Sequence, residues 1–180
     1  EYSIKQNKLL SSYSCNKGVR PLIFTSVKNV IGFDDGIYFG SYQDVRSSSP
    51  VHIFKRKVAG QWDIVYTFEL GFVEHVHSII QDSYRNCIWV FTGDFGDNAA
   101  IWKVTDNFKK VERAFYGSQK FRACSVNVLP EGLLYATDSP LDDNYIILLN
   151  PDTGVLKETM PISGSCIYGC KWGDKYVFES

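Results

Sequence analysis

The chain is 180 residues long, with 19 basic and 20 acidic side chains, a formal charge of −1 and 44% hydrophobic residues. That is the length of one ordinary domain with enough apolar material for a core, and the absence of a basic stripe removes nucleic acid as an expected partner. No apolar run approaches the ~18 residues of a membrane-spanning helix, so no transmembrane segment is expected.

Taken in chain order, the pattern predicts short strands throughout. Aromatic residues reach 15%, which suits a pleated surface, and no window keeps apolar residues at i, i+3, i+4 and i+7 over three helical turns. Residues 2 to 33 are expected to hold an outer strand of one unit and the inner strand of the next. IYFGS (Ile37 to Ser41) then leads through a serine-rich loop to VHIFKRK, the turn AGQ and WDIVYTFEL. In the following unit VHSII (Val76 to Ile80) turns through DSYRN into CIWVFT, and GDFGDN (Gly93 to Asn98) connects to AAIWKVT, DNFKK and VERAFYG. CSVNVL, the turn PEG, LLYAT, the loop DSPLDDN, YIILLN, the turn PDTG and VLKETMPI repeat the plan. Proline fixing φ and glycine accepting positive φ make that last turn a hairpin.

Four apolar or aromatic runs end in a hydroxyl residue, and these hydroxyls (Ser41, Thr92, Thr137 and Ser180) lie 51, 45 and 43 residues apart. Short strands repeating every ~40–50 residues are the mark of a β-propeller blade. The expected fold is therefore all-β, a single partial β-propeller domain over 1–180 with about three complete four-stranded blades plus partial ones. The blades are placed near 20–70, 73–117 and 120–162, with a further blade starting at 165–180. Such a ring is incomplete, so missing blades or another chain are expected to close it. With Glu1 in first position and no signal-peptide core, the chain reads as an internal segment of a longer product or a processed one. The compartment stays open.

The strand-turn-strand IWKVTDNFKKVE (Ile101 to Glu112) resembles a degenerate Asp-box, the S-x-D-x-G-x-T-W hairpin of sialidase-like (BNR-repeat) propellers. Thr105 and Asp106 match its polar pair, Phe108 stands where glycine is usual, and Lys110 or Val111 where tryptophan is usual. The hairpin of the first unit keeps Gly60 and Trp62, and LLNPDTGVLKE keeps the turn. The resemblance implies a propeller and a glycan-directed activity, glycoside hydrolysis included. No stretch matches the surroundings of a sialidase's arginine triad, so none of Arg20, Arg46, Arg56, Arg85, Arg113 and Arg122 inherits that role.

Propeller topology places the start of each inner strand and the loop after each second strand on one face. Arg20, His75, His77 and Arg122 would then meet Gln43, Asp44, Asp94, Asp97, Asp138 and Asp142 on a rim suited to a carbohydrate or small polar ligand. Asp94 and Asp138, on neighbouring units, are the expected catalytic pair, since glycoside hydrolysis uses two carboxyls ~5–10 Å apart. The bland reading of each aspartate is a loop residue bonding backbone N–H groups. His75 and His77 alternate and project to one side of a strand. Without a third nitrogen or sulfur ligand in view, no metal site is assigned and no cofactor is expected. The five cysteines, Cys15, Cys87, Cys124, Cys166 and Cys170, fit neither a zinc knuckle nor a disulfide framework and read as buried thiols. The alternative to a glycan-directed enzyme is a non-catalytic propeller binding a glycan, peptide or protein.

Overall fold

The second strand of each unit is a nearly unbroken apolar run, and such runs are stable only when both faces of the strand are covered. The computed structural model, which describes residues 1–14, 19–43, 49–57 and 60–180, meets this demand by stacking sheets face to face. The chain is all-β. Strands β8 (His75–Asp82), β9 (Cys87–Gly93), β10 (Ala100–Thr105) and β11 (Lys110–Tyr116) form one antiparallel four-stranded sheet in sequence order. A second four-stranded sheet follows in the same order: β12 (Val126–Leu129), β13 (Gly132–Ala136), β14 (Asn144–Leu149) and β15 (Leu156–Ile162). Preceding both, β5 (Gly36–Tyr42), β6 (His52–Arg56) and β7 (Trp62–Thr67) are flanked by two short pieces, β3 (Arg20–Pro21) and β4 (Thr25–Val27), which pair along β5. Two-stranded hairpins lie at either end, β1 (Tyr2–Ser3) with β2 (Lys8–Leu9), and β16 (Gly169–Trp172) with β17 (Lys175–Phe178). No helix among the described residues is long and apolar enough to cross a membrane.

Alternation along β9 divides the interior in two. Ile88 and Val90 point into a cluster with Tyr38, Ile53, Val76 and Val104. Cys87, Trp89 and Phe91 point the other way, into a cluster with Leu133, Tyr135, Ile147 and Leu149. Period-2 geometry makes this split automatic. The fourth strands carry the charge: β11 and β15 are mostly half-exposed or exposed, where Lys, Arg and Glu stay solvated.

Two devices recur in all three large sheets. The register between third and fourth strands shifts once in each, at Ile53/Phe54, Ile101/Trp102 and Ile146/Ile147. The repeated hydroxyl, meanwhile, clasps the end of the second strand to the start of the third. Ser41 Oγ donates to His52 O and accepts from His52 N, both at 3.1 Å. Thr92 Oγ1 donates to Asn98 O at 2.7 Å and accepts from Trp102 Nε1 at 3.1 Å. Thr137 Oγ1 donates to Asn144 Oδ1 at 2.8 Å and accepts from Tyr145 N at 2.9 Å.

At the turn between β10 and β11, Asp106, Asn107 and Phe108 all have positive φ, with Phe108 at 66°. A bulky residue is disfavoured there. Burial supplies the compensation, because the Phe108 ring stacks on Tyr38 at 5.8 Å and meets Phe33 edge-on at 5.9 Å. The far end of the β8–β9 hairpin is stapled by Asp82, whose carboxylate accepts from the backbone N–H of Tyr84 and Arg85 and from Trp89 Nε1 at 2.9 Å. Arg85 then bonds Asp82, Asp152 and the Pro130 carbonyl, tying this sheet to the next.

Thr92→Val keeps the side-chain volume and removes the clasp, leaving the Trp102 N–H without its partner in the interior. Chemical denaturation is expected to show a loss of about 1–3 kcal/mol, whereas Thr92→Ser stays within about 1 kcal/mol of the parent.

Candidate functional site

Polar residues from the ends of neighbouring sheets converge, and a bulge sharpens the convergence. On β8 the pairing with β9 runs His75↔Gly93, Val76↔Thr92, then Ser78↔Phe91, so His77 is the extra residue. Bulges re-aim side chains, and here His75 and His77 are brought close enough for their Nε2 atoms to stand 3.0 Å apart. Gly93 makes the room, since a Cβ at that position would collide with the His77 imidazole. Tyr42, from the end of β5, lies against the His75 ring at 4.3 Å between centroids.

Asp94 closes the cluster from the loop after β9. Its Oδ1 lies 3.0 Å from His75 Nε2, 3.2 Å from His77 Nε2 and 3.1 Å from Arg122 Nη2. Arg122, just before β12, also reaches Asp138 Oδ2 through Nε at 3.4 Å and the Asp94 carbonyl through Nη1 at 3.3 Å. Glu74 Oε2 accepts from the Asp94 N–H at 2.8 Å, and Gln119 Nε2 donates to the Asp94 carbonyl at 2.8 Å. Cys124 Sγ donates to Asp138 Oδ2 at 3.6 Å. His75 and His77 are 1% and 2% exposed, Asp94 and Arg122 each 9%.

Burial and neighbouring charge shift Asp94, His77 and Cys124 from their ordinary values. Desolvation pushes the Asp94 carboxyl up, but hydrogen bonds from His75 and His77, with the Arg122 charge, outweigh it and hold the group well below the usual carboxylate range. Burial holds the His77 imidazole below its ordinary value, against the pull of Asp94. Desolvation, reinforced by Asp138, drives the Cys124 thiol far up, and burial beside Asp82 raises Cys87 to about 12. Among the described residues, four buried polar atoms have no hydrogen-bond partner: Gln43 Oε1, His75 Nδ1, His77 Nδ1 and Gln119 Oε1.

Of the residues singled out from sequence, His75, His77, Asp94, Arg122 and Asp138 form one connected cluster. Arg20 is exposed at its edge, with its guanidinium 5.5 Å from the Tyr42 ring centre, and Gln43 is buried with its amide on Ser49 O at 2.8 Å. Asp97, on a single 3-10 turn over Gly96–Asn98, and Asp142 are exposed outside this cluster, Asp97 within 4.0 Å of Arg113. Asp44 lies outside the described residues. Glu74, Cys124, Gln119 and Tyr42 join the cluster without having been picked out. For Cys124 the signal was available, since it follows Arg122 by two positions and so shares its side of an extended segment.

Two sets of possible metal ligands overlap here: His75, His77 and Asp94, and His77, Cys124 and Asp138, with donor atoms in each within 4.8 Å of one another. A separate cavity of about 660 Å³, lined by Tyr13, Phe24, Phe39, Trp62, Arg56 and Glu1, opens between the β1–β2 hairpin and the first large sheet. It shares no lining residue with the polar cluster. No protein-family model, curated protein or solved structure matches the chain.

Because Cys87 and Cys124 are buried and hard to ionise, brief treatment of the folded protein with iodoacetamide near pH 8 is expected to leave both unmodified. Exposed Cys170 reacts under the same conditions. Peptide mass mapping reads the pattern, and unfolding in urea before alkylation makes all three label.

Proposed function

We propose that this chain is part of a β-propeller of the sialidase-like, glycan-directed kind, and that its polar rim holds a carbohydrate or similar small polar ligand without hydrolysing it. The propeller reading is supported by the repeated four-stranded antiparallel sheet, the register shift at equivalent positions and the hydroxyl clasp in each unit. Exposed apolar side chains on the terminal hairpins, Ile4 and Leu9 at one end and Trp172 at the other, support further strands covering them.

One observation carries the choice of binding over hydrolysis. Asp94 and Asp138, the expected catalytic pair, both grip the single guanidinium of Arg122, and Asp94 Oδ1 also faces both imidazoles. A glycosidase needs one carboxyl free to protonate the leaving oxygen and another free to face the sugar or a water. Here the two act as positioning residues for Arg122. Above the guanidinium lies the Phe95 ring, 5.3 Å away and 45% exposed. An open aromatic face beside fixed polar groups is what a sugar ring stacks on.

A glycan array followed by calorimetry on the best ligand tests the reading. Saturable binding without product is expected, and Phe95→Ala should weaken it about tenfold. Absence of binding across the array, or product that disappears in Asp138→Asn, would sink it.

A further inference from the structure

We infer that His75 Nε2, His77 Nε2 and Asp94 Oδ1 form the binding face for one divalent transition-metal ion of the zinc or iron(II) class. This assignment is independent of what the rim binds.

The first support is distance. The three donor atoms make a triangle with sides of 3.0, 3.0 and 3.2 Å. Nitrogen and oxygen donors ~2.0–2.2 Å from an ion stand ~2.8–3.6 Å from one another, from octahedral to tetrahedral angles. The triangle is thus the facial arrangement of two imidazoles and a carboxylate.

The second is protons. If both Nε2 atoms carried hydrogen, two donors would face each other at 3.0 Å and share the one Asp94 oxygen, which already accepts from Arg122. If only one does, the other Nε2 turns its lone pair toward the Asp94 oxygen, 3.0 Å from His75 and 3.2 Å from His77. A cation accepts both Nε2 lone pairs at once and fixes both Nδ1 atoms as donors. Two buried acceptors without a partner among the described residues, Gln43 Oε1 and Gln119 Oε1, belong to residues at the same end of the sheets.

The third is charge. Among the described residues, Asp94, Asp138 and Glu74 bring three carboxylates to the cluster against the buried guanidinium of Arg122, with Arg20 exposed at the edge. Their excess matches a doubly charged ion, and arginine on a ligating carboxylate is the usual outer support of such a site. The rest of the site is ready-made: the bulge at His77 and the bare Cα of Gly93 hold the rings in place.

Protein containing this chain is stripped with a chelator, dialysed and titrated with Zn²⁺ or Co²⁺, with Mg²⁺ as the contrast. Elemental analysis is expected to find one Zn²⁺ or Co²⁺ per chain and no retained Mg²⁺. The cobalt form should show visible d–d bands without a thiolate-to-cobalt charge-transfer band. His75→Gln and Asp94→Asn, checked for native circular dichroism, lose the ion at least tenfold more readily, while Cys124→Ser keeps it. Folded parent protein that takes up no ion overturns the assignment whatever the variants do. A charge-transfer band lost in Cys124→Ser overturns it too, because the ion then sits on His77, Cys124 and Asp138.

Discussion

Every residue of β9 is buried, and from that constraint the rest of the structure follows. A strand whose odd and even positions both lead into apolar clusters cannot lie at a surface, so its sheet must be covered on both sides. Cys87, Trp89 and Phe91 recruit the sheet built on β13 and β14, while Ile88 and Val90 recruit the one built on β5 and β6. The sheets therefore stack with their strand ends aligned, and aligned strand ends bring polar residues from three units to one place. The cluster around Arg122 follows from how β9 is packed.

The two ends of the β8–β9 hairpin use similar ingredients differently. At one, Asp82 takes hydrogen bonds from two backbone N–H groups, Arg85 and Trp89, and the network is closed. At the other, Asp94 meets an arginine and two histidines, but buried imidazole and amide atoms remain unmatched among the described residues. A buried polar group without a partner is costly, which makes the second end the one suited to receive something from outside. Arg85, which the sequence reading did not place on the rim, holds two sheets together.

The strands were legible because turn chemistry and period-2 patterning are local properties, and each unit states them again. The convergence of His75, His77, Asp94, Arg122 and Asp138 was legible for a related reason, since position along a strand fixes which end of a sheet a residue occupies. The bulge was not. Nothing in EHVHS marks His77 as the unpaired residue, because a bulge is decided by the partner strand and by the space Gly93 leaves. Glu74 and Gln119 act through one hydrogen bond each to the backbone of Asp94, and such bonds have no pattern to read. Asp97 and Asp142 show the opposite failure: aspartate is cheap at an exposed position, so the residue type alone overstates the site. Phe108 is a third kind of case, in which tertiary packing overrides the preference of a turn for glycine.

The hydroxyl clasp has a bearing on how such a molecule can change. Ser41, Thr92 and Thr137 each fasten the chain where it leaves one strand and where it enters the next, at His52, close to Ala100 and at Tyr145. Two of the enclosed stretches carry Asp94 and Asp138 into the polar cluster, and the stretches differ in sequence. Because the clasp holds the strand ends on either side, exposed positions of these stretches such as Asp97 and Asp142 are free to vary by mutation while Asp94 and Asp138 keep their bonds to Arg122.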